Sequence, residues 1–328
     1  LIVARRVPTT EEINAVKGNS TAQLRTSIRK LMDGPGFHDF LITGANDRLH
    51  VDAFMNGLFL DVADLNAGQI FPLGAKKYFD LGNKNEVGSQ TPGNWLQKWQ
   101  WGITRAPLEL IAHIVEQDRS YKEVVTADYM MMNPITSEIL RGGIEFENGG
   151  NHLVYKRGKN LGQVVQDDAH QFEFVQNYGT RIDSYGDFID YPHAGVLNTH
   201  AFLNRYPTTD TNRNRARARW TYYHFLGVDI EKSASRTTDP AALADTNNPT
   251  MNNGACTVCH QLMDPVAGAF QNFDDNGRYR GGHLGKDSLP SSYKYPEDPD
   301  AERLYQEGDT WFRDMRTPGF DGEIVNDP

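Results

Sequence analysis

The stretch Ala255-Cys256-Thr257-Val258-Cys259-His260 decides most of what the sequence predicts. Cys-x-x-Cys-His is the attachment sequence of a c-type haem. Within one helical turn, the two-residue spacer presents both thiols to the vinyl groups of one porphyrin, and His260 follows as the proximal axial ligand of the iron. Cys256 and Cys259 are the only two cysteines in the chain. We therefore predict one covalent haem c, bound through Cys256, Cys259 and His260.

Two other uses of a Cys-x-x-Cys pair fit the sequence less well. A structural zinc site would need a second pair of ligands. A thioredoxin-type redox pair would need a βαβ setting, which the sequence pattern does not indicate. Haem attachment is the interpretation that uses both cysteines and the histidine that follows them.

Capping signals and apolar periodicity predict a mainly α protein. Thr9 with Glu12 and Ser20 with Gln23 have the spacing of capping boxes, so helices are expected to begin there. Apolar residues at helical spacing predict an amphipathic helix over residues 106–119, opened by Pro107 in its first turn. The second half is expected to form three more helical stretches, over residues 194–205, 211–226 and 252–263.

The pattern weakens from residue 141 onward, where glycines become frequent. Alternation over residues 152–156 is compatible with a short strand. We place a boundary near residue 145, which divides the chain into a helical scaffold domain at 1–145 and a cytochrome c-like helical haem domain with long loops at 146–328.

Composition and charge exclude several classes of protein. The chain has 328 residues and a net charge of −10, which argues against nucleic acid as a partner because phosphate binding needs a basic surface. No apolar run is long enough to cross a bilayer. Because haem c is joined to its thiols outside the cytoplasm, we expect a periplasmic or extracellular protein, in some settings attached to the cell surface. The first residue is Leu1, so we expect a longer precursor.

Four segments carry a resemblance to a known family. They are Tyr191-Pro192-His193-Ala194-Gly195-Val196-Leu197, Arg213-Asn214-Arg215-Ala216-Arg217-Ala218-Arg219-Trp220, the Cys-x-x-Cys-His segment, and Met263-Asp264-Pro265-Val266-Ala267-Gly268-Ala269-Phe270-Gln271-Asn272-Phe273-Asp274. Over residues 191–280 the chain resembles the planctomycete-type cytochrome c domains of secreted bacterial proteins. The resemblance implies a single covalent haem and an extracytoplasmic site, and it assigns no reaction.

The sixth ligand of the iron is open to several candidates. Met263 follows His260 by three residues on the same helical face, so it cannot reach the other side of the porphyrin. Met315 lies 55 residues after His260, and a late Met completes the iron in small c-type cytochromes. His200 is the alternative distal ligand, with His283 and His193 behind it. Each of these side chains could equally fill the core.

Haem propionates carry negative charge and need cationic or hydrogen-bonding partners. The candidates are Arg217, in the arginine run from 213 to 219, and Arg278 with Tyr279. On a helix Arg213 and Arg217 share one side, while Arg215 and Arg219 share another. One of these sides is expected to pair with acidic loops and the other with propionates.

The favoured function is electron transfer by an extracytoplasmic monohaem c-type cytochrome with a redox protein as its partner. One alternative is a haem-dependent oxidoreductase, or a polymer-degrading enzyme that uses the haem as its electron exit. The other is a structural subunit of a larger secreted haem-containing complex. No nucleophile elbow, phosphate loop or dinucleotide fingerprint is present, so no catalytic residue is assigned.

Overall fold

The computed structural model describes residues 3–18, 20–51, 94–147, 150–160, 191–208, 212–245, 247, 249–273, 277 and 316–325. Over these ranges the protein is helix-rich with little strand, which confirms the predicted mainly α class. The α-helices are α1 (Thr10–Val16), α2 (Thr21–Met32), α3 (Pro35–Leu49), α4 (Asn94–Glu116), α5 (Glu123–Thr126), α6 (Pro134–Ile139), α7 (His200–Arg205), α8 (Arg215–Thr221), α9 (Pro240–Leu243), α10 (Pro249–Asn252) and α11 (Gly254–Ala269).

Shorter elements connect these helices. Two 3₁₀ turns, Gly195–Asn198 and Ile230–Lys232, and one π-helix, Tyr222–Leu226, lie among the helices of the second half. The strands are β1 (Met130–Met132), β2 (Lys156–Gly158), β3 (Gly319–Phe320) and β4 (Glu323–Ile324), and they pair antiparallel as β1 with β2 and β3 with β4. The strand expected at 152–156 therefore overlaps β2 only at Lys156.

Both predicted capping boxes are present at the N-terminus. The Thr9 hydroxyl accepts a hydrogen bond from the Glu12 amide at 3.2 Å, and the Glu12 carboxylate accepts one from the Thr9 amide at 2.8 Å. Ser20 and Gln23 make the same reciprocal pair. These bonds satisfy amides that a helix start would otherwise leave unpaired, so local sequence alone determines where α1 and α2 begin.

Helix α4 differs from the sequence prediction at its start. Pro107 lies inside the helix, which begins at Asn94, so the expectation that Pro107 opens it is wrong. An internal proline costs about 3 kcal/mol because it removes one backbone hydrogen bond and crowds the preceding turn. Trp99 and Ile103 before it, and Leu108 and Leu110 after it, are all buried. Burial of both halves of α4 outweighs that cost.

A single apolar cluster combines side chains from both sides of the predicted boundary. Leu108 and Ile114 of α4 belong to the same cluster as Phe202 of α7 and Phe270, which follows α11. The rings of Phe202 and Phe270 are stacked with centroids 6.5 Å apart. The haem-motif helix is therefore packed on the same core as the N-terminal half, and the boundary near residue 145 stays a prediction.

His38 of α3 links this helix to α4 through two carboxylates. Its Nε2 lies 3.2 Å from a Glu109 carboxylate oxygen, and its Nδ1 lies 2.9 Å from Glu116. Arg105 holds the other Glu109 oxygen at 2.6 Å. The hydrogen bond to Glu109 is the main reason that the pKa of His38 is raised to about 9, although burial acts in the opposite direction.

Stability is therefore expected to depend on pH through His38. Its pKa in the folded state lies above its ordinary value, so the stabilisation is fully present below about pH 6.5 and is lost as the pH rises through 9. Because the ring is about one third exposed, solvent screening limits the effect to about 1–2 kcal/mol. Urea unfolding at pH 6 and at pH 9.5 should show His38→Gln destabilised at the lower pH and nearly equal to the wild type at the higher. An equal difference at both values would contradict this role.

Candidate functional site

Helix α11 presents the Cys-x-x-Cys-His motif on one face. The side chain of Asn253 accepts the Ala255 amide at 3.0 Å and caps the helix immediately before the motif. Cys256, Cys259 and His260 occupy positions i, i+3 and i+4, which are neighbours on a helix surface. The sequence prediction of a helix at this place is confirmed, and it brings the three predicted haem-attachment residues together.

Both thiols are partly exposed, and neither forms a disulfide. The sulfur of Cys259 lies 3.7 Å from the carbonyl oxygen of Ile230. Two apolar side chains that shortly precede Ile230 are left exposed, Leu226 at 49% and Val228 at 43%. Cys259 is thus a partly exposed thiol that contacts Ile230, the residue that follows this exposed apolar segment in the chain.

The orientation of His260 follows from its hydrogen bond to Asp264. The Nδ1 atom lies 2.9 Å from the Asp264 Oδ1 atom. An ionised carboxylate can only accept, so Nδ1 carries the hydrogen, and in the neutral imidazole Nε2 then carries the lone pair. Because His260 is only partly buried, Nε2 is the nitrogen available to an iron ion.

Asp264 itself is completely buried, with 0% of its surface exposed. Arg215 of α8 binds it in bidentate fashion, with Nε at 2.8 Å from Oδ1 and Nη2 at 3.0 Å from Oδ2. Burial alone would raise the pKa of Asp264, but hydrogen bonds from His260 and Arg215 outweigh burial and hold that pKa below its ordinary value. The carboxylate is therefore charged beneath the candidate iron ligand.

Sequence reasoning missed Asp264 and the contact that Arg215 makes with it. A signal was present, because Asp264 follows His260 by four residues and a helix places those positions side by side. It also stands in one of the segments that resemble the cytochrome family. The pairing with Arg215 spans 49 positions along the chain, so only the folded structure reveals it.

Two other arginines of the run, Arg217 and Arg219, also bind within the protein. Arg219 pairs with Asp229 at 3.2 Å and with Glu231 at 3.0 Å. Arg217 is 0% exposed, and its guanidinium donates to the carbonyls of Leu203, Tyr206 and Phe273 and to the Asn214 side chain. These contacts give Arg217 a structural role, and its predicted bond to a haem propionate stays a prediction.

The remaining predicted site residues are not brought to the motif by the described contacts. His200 lies in the core, stacked on Tyr191 with ring centroids 6.2 Å apart. His193 accepts the Asn160 amide on its Nε2 at 3.0 Å. Met315, Arg278, Tyr279 and His283 lie outside the described residues. The identity of the distal ligand therefore stays a prediction, with Met315 first and His200 as the alternative.

The residues of the motif fit the protein ligands that a haem c needs. Within the ranges that the structure describes, no group of three or more His, Cys, Asp and Glu side chains could hold a metal. A haem brings four porphyrin nitrogens of its own, so it needs from the protein only anchoring thiols, an axial nitrogen and apolar cover. Cys256, Cys259 and His260 would provide the first two, and Leu226 and Val228 are exposed apolar side chains in the segment before Ile230.

A helical domain built around a Cys-x-x-Cys-His helix defines the class of cytochrome c-type domains, and the comparisons agree with it. Residues 193–283 match the family model PSCyt3, described as a protein of unknown function (DUF1588). Over these residues the chain is similar to that family of planctomycete cytochrome c-type domains, in agreement with the resemblance seen in the sequence. No curated protein and no solved structure matches the chain. Among the helices that the structure describes, none is long and apolar enough to cross a membrane.

Proposed function

We propose that the protein is an extracytoplasmic monohaem c-type cytochrome that transfers electrons to or from a redox protein. The observation that supports this most strongly is the shared face of α11. It carries Cys256, Cys259 and His260 together, and the His260 Nδ1 is already bound to Asp264. A haem bound there would supply a one-electron couple at its iron.

The protein's own residues would anchor, orient and bury that group. The thiols of Cys256 and Cys259 would hold the porphyrin to α11 by adding across its two vinyl groups as thioethers. His260 offers Nε2 to one axial position, with its ring held by Asp264 at 2.9 Å. Leu226 and Val228 are exposed apolar side chains in the segment before Ile230, which contacts Cys259, and would supply apolar cover for the group. One porphyrin edge would remain open to the redox partner.

The charge of the chain favours a particular kind of partner. At a net charge of −10, long-range attraction would favour a redox protein with a basic docking face. Added salt would screen this attraction, so association with that partner would become slower as the salt concentration rises. Membership of a larger extracytoplasmic complex is compatible with this proposal.

Covalent attachment is the expected result that tests the proposal. When the protein is exported and matured by a host that makes c-type cytochromes, the denatured product should keep its haem through acid–acetone extraction and show no titratable thiol. The double variant Cys256→Ser and Cys259→Ser should lose all covalent haem. Val258→Ala, at an exposed position between the two cysteines, is the matched control and should keep it.

Two outcomes would change the interpretation. Two titratable thiols in the matured wild type would remove the haem proposal altogether. If the haem is attached but the reduced protein binds carbon monoxide readily, the sixth coordination position of the iron is open. A haem-dependent oxidoreductase then becomes the better interpretation.

A further inference from the structure

A hydrogen-bonded chain of three side chains joins two helices at the motif. Arg215 of α8 donates hydrogen bonds to both carboxylate oxygens of Asp264. Asp264 also accepts a hydrogen bond from Nδ1–H of His260, which lies four residues earlier on α11. The carboxylate has no exposed surface, while His260 is partly open to solvent. The charge of Asp264 thus lies next to Nδ1 of the His260 imidazole, on a side chain that is partly exposed.

The acceptor of the Nδ1–H hydrogen bond changes how strongly Nε2 binds a metal ion. Ligating histidines commonly donate their second N–H to an oxygen acceptor, which fixes the tautomer and ring orientation and raises the basicity of the ligand. A carboxylate does this more strongly than a neutral carbonyl, because a charged acceptor roughly doubles the strength of the hydrogen bond. A more basic imidazole stabilises the ferric ion more than the ferrous one.

We infer that Asp264 is a positioning residue for the iron, acting through His260 to favour the ferric state, and that Arg215 limits how strongly it does so. This inference rests on the proposed haem site. Arg215 is a cation whose Nε donates to Oδ1, the same oxygen that accepts from His260 Nδ1, and whose Nη2 donates to Oδ2, so it draws negative charge away from the bond to Nδ1. The two residues therefore act on the iron in opposite directions, although each contributes to the same ion pair.

A matched ion pair elsewhere on α8 separates this effect from ordinary structural support. Arg219 binds Asp229 through the same two nitrogens, Nε at 3.2 Å and Nη2 at 3.3 Å, and Asp229 precedes the Ile230 carbonyl that contacts Cys259. Asp229→Asn removes the same charge near the motif. Asp229 takes no part in the hydrogen bond between His260 and Asp264.

The experiment measures the ratio of ferrous to ferric protein at fixed ambient potentials in the matured holoprotein. Asp264→Asn keeps an oxygen that can accept Nδ1–H and removes the charge, so this ratio is expected to rise about tenfold, which corresponds to about 59 mV for a one-electron couple. Arg215→Gln is expected to lower the ratio, by about threefold, because the carboxylate is left more basic. Asp229→Asn should move it by less than about threefold.

Opposite shifts in the two site variants would support the inference, since lost structural support alone would move both in the same direction. Unchanged ratios in variants that keep full haem and wild-type helix content would overturn it, while the proposed haem site would stand. Absence of covalent haem in the wild type would instead defeat the proposed function. If Asp264→Asn does not fold, the direction of the Arg215→Gln shift decides the question alone.

Discussion

Gly195→Ala is expected to destabilise the protein by about 4 kcal/mol or more, because two independent costs meet at this residue. Gly195 has φ of +55°, and an added Cβ would overlap the backbone carbonyl of Val124 in α5. Its own amide also donates to the Ala127 carbonyl at 3.0 Å. The 3₁₀ turn that precedes α7 is thereby pressed against the end of α5, and neither backbone can move without breaking this bond.

Gly227→Ala is the matched control for this prediction. Gly227 has a similar φ of +71°, but among the described residues no atom beyond its own chain neighbours lies within 4 Å of the position of an added Cβ. Only the left-handed backbone then opposes the substitution, at a cost of about 1–2 kcal/mol. Urea unfolding of both variants measures the difference, and equal losses would mean that the close approach of Gly195 to Val124 does not contribute.

Arg217→Met is the second substitution with a large expected effect, also about 4 kcal/mol of unfolding free energy or more. Methionine resembles the arginine stem in length but donates nothing, so three buried carbonyls and the Asn214 side chain would lose their donor. Each unsatisfied buried acceptor costs about 1–3 kcal/mol. The carbonyls belong to Leu203, Tyr206 and Phe273, so the loss would loosen α7, α8 and the end of α11 together.

Arg236→Met provides the control, because Arg236 is 82% exposed and pairs only at the surface with Glu231 in the described structure. Its removal should change stability by no more than about 1 kcal/mol. Denaturant unfolding followed by circular dichroism compares the two variants. If Arg217→Met proves nearly as stable as the wild type but alters the haem spectrum, the propionate role predicted from sequence would be the better assignment.

Local interactions explain why part of the fold could be predicted from the sequence. The starts of α1 and α2 depend on bonds between residues three apart, Thr9 with Glu12 and Ser20 with Gln23, so their signals are complete within a few positions. Pro107 shows the opposite case. Its local preference is to begin a helix, and burial of the residues on both sides of it by the rest of the protein overrides that preference.

Within the candidate site, too, some features depend on neighbouring residues in the chain and others on contacts made only by folding. The motif from Cys256 to His260 lies within five residues, so its common helical face could be predicted directly from the sequence, and its haem chemistry stays a prediction. The arginine run predicted cations near the candidate site but did not identify the groups that they bind. Sequence spacing distributes them around a helix, whereas folding buries Arg217 among carbonyls and turns Arg215 toward Asp264.

The sequence by itself determined the helical class, the Cys-x-x-Cys-His motif and the family similarity of residues 193–283, because each depends on residues that are near one another in the chain. Only the tertiary structure decided that a buried, charged Asp264 lies behind His260 and that Arg215 holds it from a second helix. A hydrogen bond or ion pair needs atoms within about 3 Å of each other. Residues 49 positions apart reach that distance only after apolar burial has packed α8 against α11.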